Sequence, residues 1–133
     1  MLPASREEVF DMWLDPESVR RWMCPGNTHV AAIELNPVVG RAFRIYMETE
    51  DEQVYVHTGK YLEIQRPERL VFTWRSPATG ERESRVTVAF YEQGKSCLVV
   101  LVHELLPDER AVENHRAGWT DILNRLGEQF RDI

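Results

Sequence analysis

Cysteine is scarce in this chain. Cys24 and Cys97 are the only two among 133 residues, and they lie far apart, in no C-x-x-C spacing and behind no secretory segment. That pattern argues against a disulfide framework and for a reducing, cytoplasmic compartment. Long hydrophobic runs are lacking too: nothing approaches the roughly 20 apolar residues of a membrane-spanning helix, so no membrane insertion is expected. Nor is there an excess of basic residues. Sixteen Lys and Arg against 22 Asp and Glu give a formal net charge of −6, a sign that disfavours nucleic acid and anionic surfaces as partners. The chain contains no H-E-x-x-H, no G-x-S-x-G and no phosphate-cradling glycine loop, and its four histidines, His29, His57, His103 and His115, are dispersed. No metal, no cofactor and no catalytic constellation are therefore expected. Repeats, linkers and low-complexity tracts are missing as well, which leaves one domain over residues 1–133.

What is present is ordered. Ser5-Arg6-Glu7-Glu8 is a capping box that starts a first helix, whose apolar face is Val9, Phe10, Trp13 and Leu14. Asp15-Pro16 supplies an N-cap and a proline at the first helical position, predicting a second short helix toward Trp22 that Pro25-Gly26-Asn27 closes. The periodicity then changes to branched and aromatic residues with partial alternation. Strands are predicted over 28–36, 42–50, 54–64, 69–75, 85–91 and 96–105, with short loops that imply antiparallel neighbours. The acidic run Glu48-Thr49-Glu50-Asp51-Glu52 falls in one of those loops and reads as a solvated tip. Leu106-Pro107-Asp108 opens a final helix over 108–130, where Val112, His115, Trp119, Ile122, Leu126 and Phe130 form one stripe. Gly118 interrupts that helix, at a cost of about 1 kcal/mol against alanine. A close approach of the helix backbone to a neighbouring element is the expected reason.

Two short helices, six strands and one long helix make an α+β helix-grip arrangement. With that order in place, the residues support a resemblance. Residues 4–16 follow an A-x-x-E-x-V-F-x-x-W-x-D-P pattern; Arg21-Trp22 with Pro25, Gly59-x-Tyr61-Leu62-Glu63-Ile64, the run from Pro67 to Trp74, and His115-x-x-Gly118-Trp119 with Leu123 and Leu126 follow in order. Together they resemble the activator-of-heat-shock-protein-ATPase-like (AHSA-type) domains of the birch-pollen-allergen and START-like superfamily. The resemblance implies a curved antiparallel sheet wrapped around the C-terminal helix with a cavity between them. Two departures stand out. The family's opening strand has no counterpart beyond Met1-Leu2-Pro3, so either Met1 is an internal methionine of a longer chain or a sheet edge is left free for a second chain, and a monomer or a homodimer is expected. Met23 also stands where many relatives carry tryptophan, exchanging a rigid wall for an adaptable one.

Candidate ligand-binding residues follow from the stripe and the strands: His115 and Trp119 on the helix, Trp22 and Met23 near the helical pair, and Tyr46, His57, Tyr61 and Trp74 on the sheet. Alternation puts Tyr55, His57, Gly59, Tyr61 and Glu63 on one face of their strand, with Leu70, Phe72 and Trp74 together on theirs. Each of these residues also has a plain reading as core, and which sheet face points inward stays open. Three functions compete. The first is non-catalytic binding of a small hydrophobic or aromatic molecule between sheet and helix. The second is a protein-interaction module regulating a chaperone, as the family's name implies. The third is a cavity enzyme using His115 as acid or base.

Overall fold

The computed structural model describes residues 2–130. Its first element, α1 (Arg6–Met12), is capped by the Ser5 hydroxyl, which accepts from the Glu8 amide at 3.3 Å. Only that half of the expected capping box forms, because the Glu8 carboxylate turns to the Ser5 hydroxyl at 3.5 Å instead of to its amide. In α2 (Pro16–Trp22) the Asp15 carboxylate accepts from the Glu17 amide at 3.1 Å, with proline at the first position as its fixed φ favours.

Six strands follow, β1 (His29–Leu35), β2 (Ala42–Glu48), β3 (Val54–Gln65), β4 (Arg69–Trp74), β5 (Ser84–Gln93) and β6 (Ser96–Glu104), each antiparallel to the next in one sheet of order β1-β2-β3-β4-β5-β6. A single 3-10 turn, Pro77–Thr79, lies between β4 and β5. The final helix α3 (Glu109–Glu128) is capped by Asp108, whose carboxylate accepts from Ala111 at 2.8 Å. No helix among the described residues is long and apolar enough to cross a membrane.

Two bulges bend the sheet. Register shifts between Val30 and Ala32 on β1 and between Tyr61 and Glu63 on β3, and an extra residue at each point increases local twist. The second shift corrects the simple alternation. His57, Gly59 and Tyr61 share a face, as alternation predicts, and that face is the concave one, but beyond the bulge Ile64 takes that side and Glu63 turns outward toward Arg69 at 3.5 Å. Between the bulges, Gly59 sits opposite Phe43 on β2. A Cβ there would stand 2.0 Å from the Thr73 carbonyl oxygen and 2.5 Å from the Phe43 ring. The glycine lets the strands fold over one another while the ring covers the gap.

The concave side holds the core. Phe43, Ile45 and Met47 from β2, Leu70, Phe72 and Trp74 from β4, and Val86, Val88 and Phe90 from β5 meet the helices there. Phe10 of α1 packs edge-on to Phe90 with ring centres 5.1 Å apart, and Trp13 packs on Trp22 at 4.8 Å. Along α3 the buried residues are Ala111, Trp119, Ile122 and Leu126, with His115 half-buried between the first two. Val112, expected in the stripe, is exposed, because the inward row at the helix start runs through Ala111 one residue earlier.

The opening segment does more than precede α1. Leu2 exchanges two backbone hydrogen bonds with Cys97, at 2.8 and 2.9 Å, on the outer edge of β6. Among the described residues that is the whole of the pairing on this edge. Both cysteines are buried and free.

Candidate functional site

The sheet and α3 do not close on one another completely. Between them lies a cavity of about 110 Å³ lined by Met47 from β2, His57 from β3, Trp74 from β4 and His115, Trp119 and Ile122 from α3. Its mouth is framed by Pro25 of the turn after α2, Ala78 of the 3-10 turn, and Asn114 and Gly118 of α3. Met47, Trp74, Trp119 and Ile122 are buried, whereas Ala78 and Asn114 are exposed. The pocket is open to solvent and has mostly apolar walls with a few polar atoms. Trp74 and Trp119 stand 5.2 Å apart and form its floor, and His57 lies 5.2 Å from Trp74 on the other side.

Behind Trp119 runs a directed chain of hydrogen bonds. The Trp119 indole N–H donates to His103 Nδ1 at 2.9 Å, His103 Nε2 lies 2.7 Å from the Ser84 hydroxyl, and that hydroxyl donates to the Trp74 carbonyl at 2.7 Å. An indole nitrogen only donates, so Nδ1 is the acceptor of a neutral ring and the proton sits on Nε2, pointing at Ser84. Ser84 and His103 therefore have the contact of a nucleophile and its base but the opposite polarity: the histidine gives its proton to the serine oxygen and has no lone pair with which to activate it. The chain holds Trp119 and Trp74 in place. Burial, and secondarily the nearby His115, lowers the His103 pKa from 6.5 to about 4; burial does the same to His57, again to about 4. His103 and His115 meet edge to face at 4.8 Å.

Of the residues expected to bind, four line this cavity: His57, Trp74, His115 and Trp119. Met23 and Tyr61 line a smaller adjoining void of about 20 Å³, which reaches the other side of Trp74 and is bounded by Trp13 and Phe43. Burial pushes the Tyr61 hydroxyl pKa up. The other two lie outside both pockets. Tyr46 lies on the convex face, because Ile45 and Met47 on either side of it take the concave one. Trp22 is fully buried against Trp13 and donates its N–H to Ser18 within its own helix at 3.1 Å, away from any void. Met47 and Ile122 were missed although both periodicities point to them: Met47 follows Phe43 and Ile45 by twos, and Ile122 follows Trp119 by three. Pro25, Ala78 and Asn114 carried no such signal, since a mouth made of three separate segments exists only once the chain is folded.

Gly118 behaves differently from the expectation as well. A Cβ built on it would stand 3.7 Å from the Pro25 ring, an ordinary contact. No backbone crowding requires the glycine; what it leaves is open space at the cavity mouth. The turn carrying Pro25 is tied to α3 from the next helical turn. Arg125 donates to the Thr28 carbonyl at 3.3 Å, to the Gly26 carbonyl and to Cys24 Sγ at 2.9 Å, and Asp121 accepts from the Gly26 amide at 3.1 Å. Among the described residues no three His, Cys, Asp or Glu side chains gather as a metal site.

This architecture is shared with solved structures. A protein of Chromobacterium violaceum is 26% identical, with 97% of this chain and 91% of that one aligned at a TM-score of 0.88. An AHSA1 protein of Silicibacter pomeroyi is 25% identical over 96% and 91% of the two chains at a TM-score of 0.83. A Rhodobacter sphaeroides protein, 14% identical, aligns over 100% of this chain and 89% of its own at a TM-score of 0.86, a likeness of fold. No curated protein matches significantly. The family described as Activator of Hsp90 ATPase homolog 1-like protein matches residues 3–131, nearly the full length, and with the grip fold, the bulged sheet and the helix stripe already in view, the chain belongs to that family.

Proposed function

We propose that the protein binds a small apolar or aromatic molecule in the cavity between the sheet and α3, without transforming it. The observation that carries this reading is the cavity itself, with Met47, Trp74, Trp119 and Ile122 as apolar wall and two imidazoles at its rim. A well-packed interior leaves few voids larger than a water molecule, and this one is several times that size and reaches solvent. Its construction also favours binding over chemistry. The serine–histidine pair beside it is polarised the wrong way for nucleophilic attack, and His115 binds its own helix through Nδ1, 2.7 Å from the Ala111 carbonyl, with no carboxylate among the described residues bonded to it to orient it as a base.

Tryptophan fluorescence tests the reading directly, since Trp74 and Trp119 form the floor. Titration with a set of one-ring aromatic compounds should give a saturable change of one-to-one stoichiometry. A Gly118→Leu variant, with its side chain in the mouth, should lose that change while unfolding at the same or higher denaturant concentration. Absence of saturation in the unmodified protein, or undiminished binding in the variant, overturns the proposal.

A further inference from the structure

His57 and His115 line one pocket, each with its Nδ1 turned to a backbone carbonyl. His57 Nδ1 lies 3.3 Å from the Tyr55 carbonyl oxygen and His115 Nδ1 lies 2.7 Å from the Ala111 carbonyl oxygen. A carbonyl only accepts, so in each neutral ring the proton is on Nδ1 and Nε2 carries the lone pair. Among the described residues His115 Nε2 has no hydrogen-bond partner, while the His57 ring, besides the Tyr55 carbonyl, also lies within reach of the Ile45 carbonyl. The chemistry on offer is therefore two imidazoles and the Trp74 indole N–H, which is buried without a partner among the described residues, in an apolar, aromatic lining that holds no lysine, arginine, aspartate or glutamate.

Resting on the binding function above, we propose that the cavity selects a neutral single-ring aromatic molecule bearing a hydroxyl group, a phenol, whose O–H donates to Nε2 of His57 or His115. Three features converge on that class. At about 110 Å³ the pocket is of the order of the ~150 Å³ apolar cavity known to admit benzene, a space for one ring and not for two. The two indoles at 5.2 Å and the His57 ring beside Trp74 supply aromatic faces and edges for that ring. The donor of the hydroxyl completes an acceptor that is otherwise left unpaired in a poorly hydrated site, which is how buried polar groups discriminate between a ligand with a hydroxyl and its isostere without one. A carboxylate fits less well, since it brings charge into a lining without lysine or arginine and has no hydrogen to give an imidazole lone pair.

The experiment compares phenol, toluene and benzoate as titrants of the full chain at pH 7.5, by calorimetry, with His57→Phe and His115→Phe alongside. Phenol should bind about fivefold more tightly than toluene, the ratio that one net hydrogen bond supports, and benzoate should bind at least tenfold more weakly than phenol. In at least one of the phenylalanine variants the preference for phenol over toluene should vanish while toluene still binds. Toluene binding as well as phenol does, or benzoate matching phenol, overturns this inference and leaves the binding function standing. A preference for phenol that survives in both variants overturns the assignment to the imidazoles. No binding by any of the three removes the cavity function and this inference with it. The three-titrant comparison on the unmodified protein decides the matter even if a variant does not fold.

Discussion

The indole N–H of Trp119 and the Nδ1 of His103 form a bond, 2.9 Å long, that exists only while His103 is uncharged. Protonated, that nitrogen becomes a donor facing a donor. With His57 also held near pKa 4 by burial, the folded protein binds fewer protons than the unfolded chain between pH 6.5 and about 4. The stability these rings confer is complete above pH 6.5 and declines as the pH falls through that window. Because both rings retain some solvent contact, we expect a combined loss of about 2–4 kcal/mol, well under the full shift. Urea unfolding at pH 7.5, 6 and 5 measures it, and His103→Gln should flatten the decline. A stability profile flat to pH 5 in the unmodified protein contradicts the arrangement.

Asp11 and Arg66 join α1 to the β3–β4 turn through two bonds of 2.8 and 2.9 Å, and the Arg66 hydrogen bond holds the Asp11 carboxyl below its ordinary 3.8. Its contribution is present above pH 3.8 and disappears as the pH falls below it, a window lower than that of the histidines. In Asp11→Asn this second, more acidic step should be absent from the pH profile while the histidine step stays in place.

Gly118→Ala should stabilise the protein. The added methyl reaches ordinary contact with Pro25 at 3.7 Å, and the helix gains about 0.5–1 kcal/mol of propensity. The same methyl narrows the mouth, so aromatic ligands should enter more slowly. Chemical denaturation and stopped-flow fluorescence read the two effects separately; a destabilised variant would show that contact with Pro25 is tighter than the geometry indicates.

Gly59→Ala should be severe. The nearest atom to the new Cβ is a backbone oxygen at 2.0 Å, which no side-chain rearrangement can relieve, so a loss of about 3 kcal/mol or more is expected. Soluble yield and the denaturation midpoint test it, with Gly40→Ala, where no atom crowds the Cβ, as the comparison for a purely conformational penalty.

Arg125→Met should loosen the turn that frames the cavity. Losing bonds to three partners on residues 24–28 is expected to cost about 1–2 kcal/mol, and the Gly26 and Thr28 amides should exchange hydrogen faster than those of β4. Unchanged exchange there would mean that Asp121 alone holds the turn.

Elements whose signal is local were legible in the sequence. Asp15-Pro16 and Asp108 mark helix starts by the chemistry of the N-cap, and simple alternation puts Leu70, Phe72 and Trp74 on a common face of β4, although only the fold shows that this face is the inward one. Where the fold departs from regularity, the reading slipped. A bulge inserts one residue without a composition of its own, so alternation alone puts Glu63 on the face of Tyr61, whereas the register shift at Leu62 turns it to the other. Val112 and Ala111 differ by one helical position, and apolarity favoured the larger side chain over the one that faces inward. Among candidate site residues, His57, Trp74, His115 and Trp119 converge because each lies on the concave face of a regular element. Tyr46 was drawn in by its residue type alone. Ser84 went unnoticed because a serine at a strand start has no pattern; only the fold sets it between His103 and the Trp74 carbonyl.

The bridge from Leu2 to Cys97 has a practical side. Anything fused ahead of Leu2 leaves the protein already aligned with the rim of β6, where the remaining amides and carbonyls wait. A purification handle rich in valine or threonine would be drafted into the sheet as a seventh strand, and one built from proline and lysine would be kept off it.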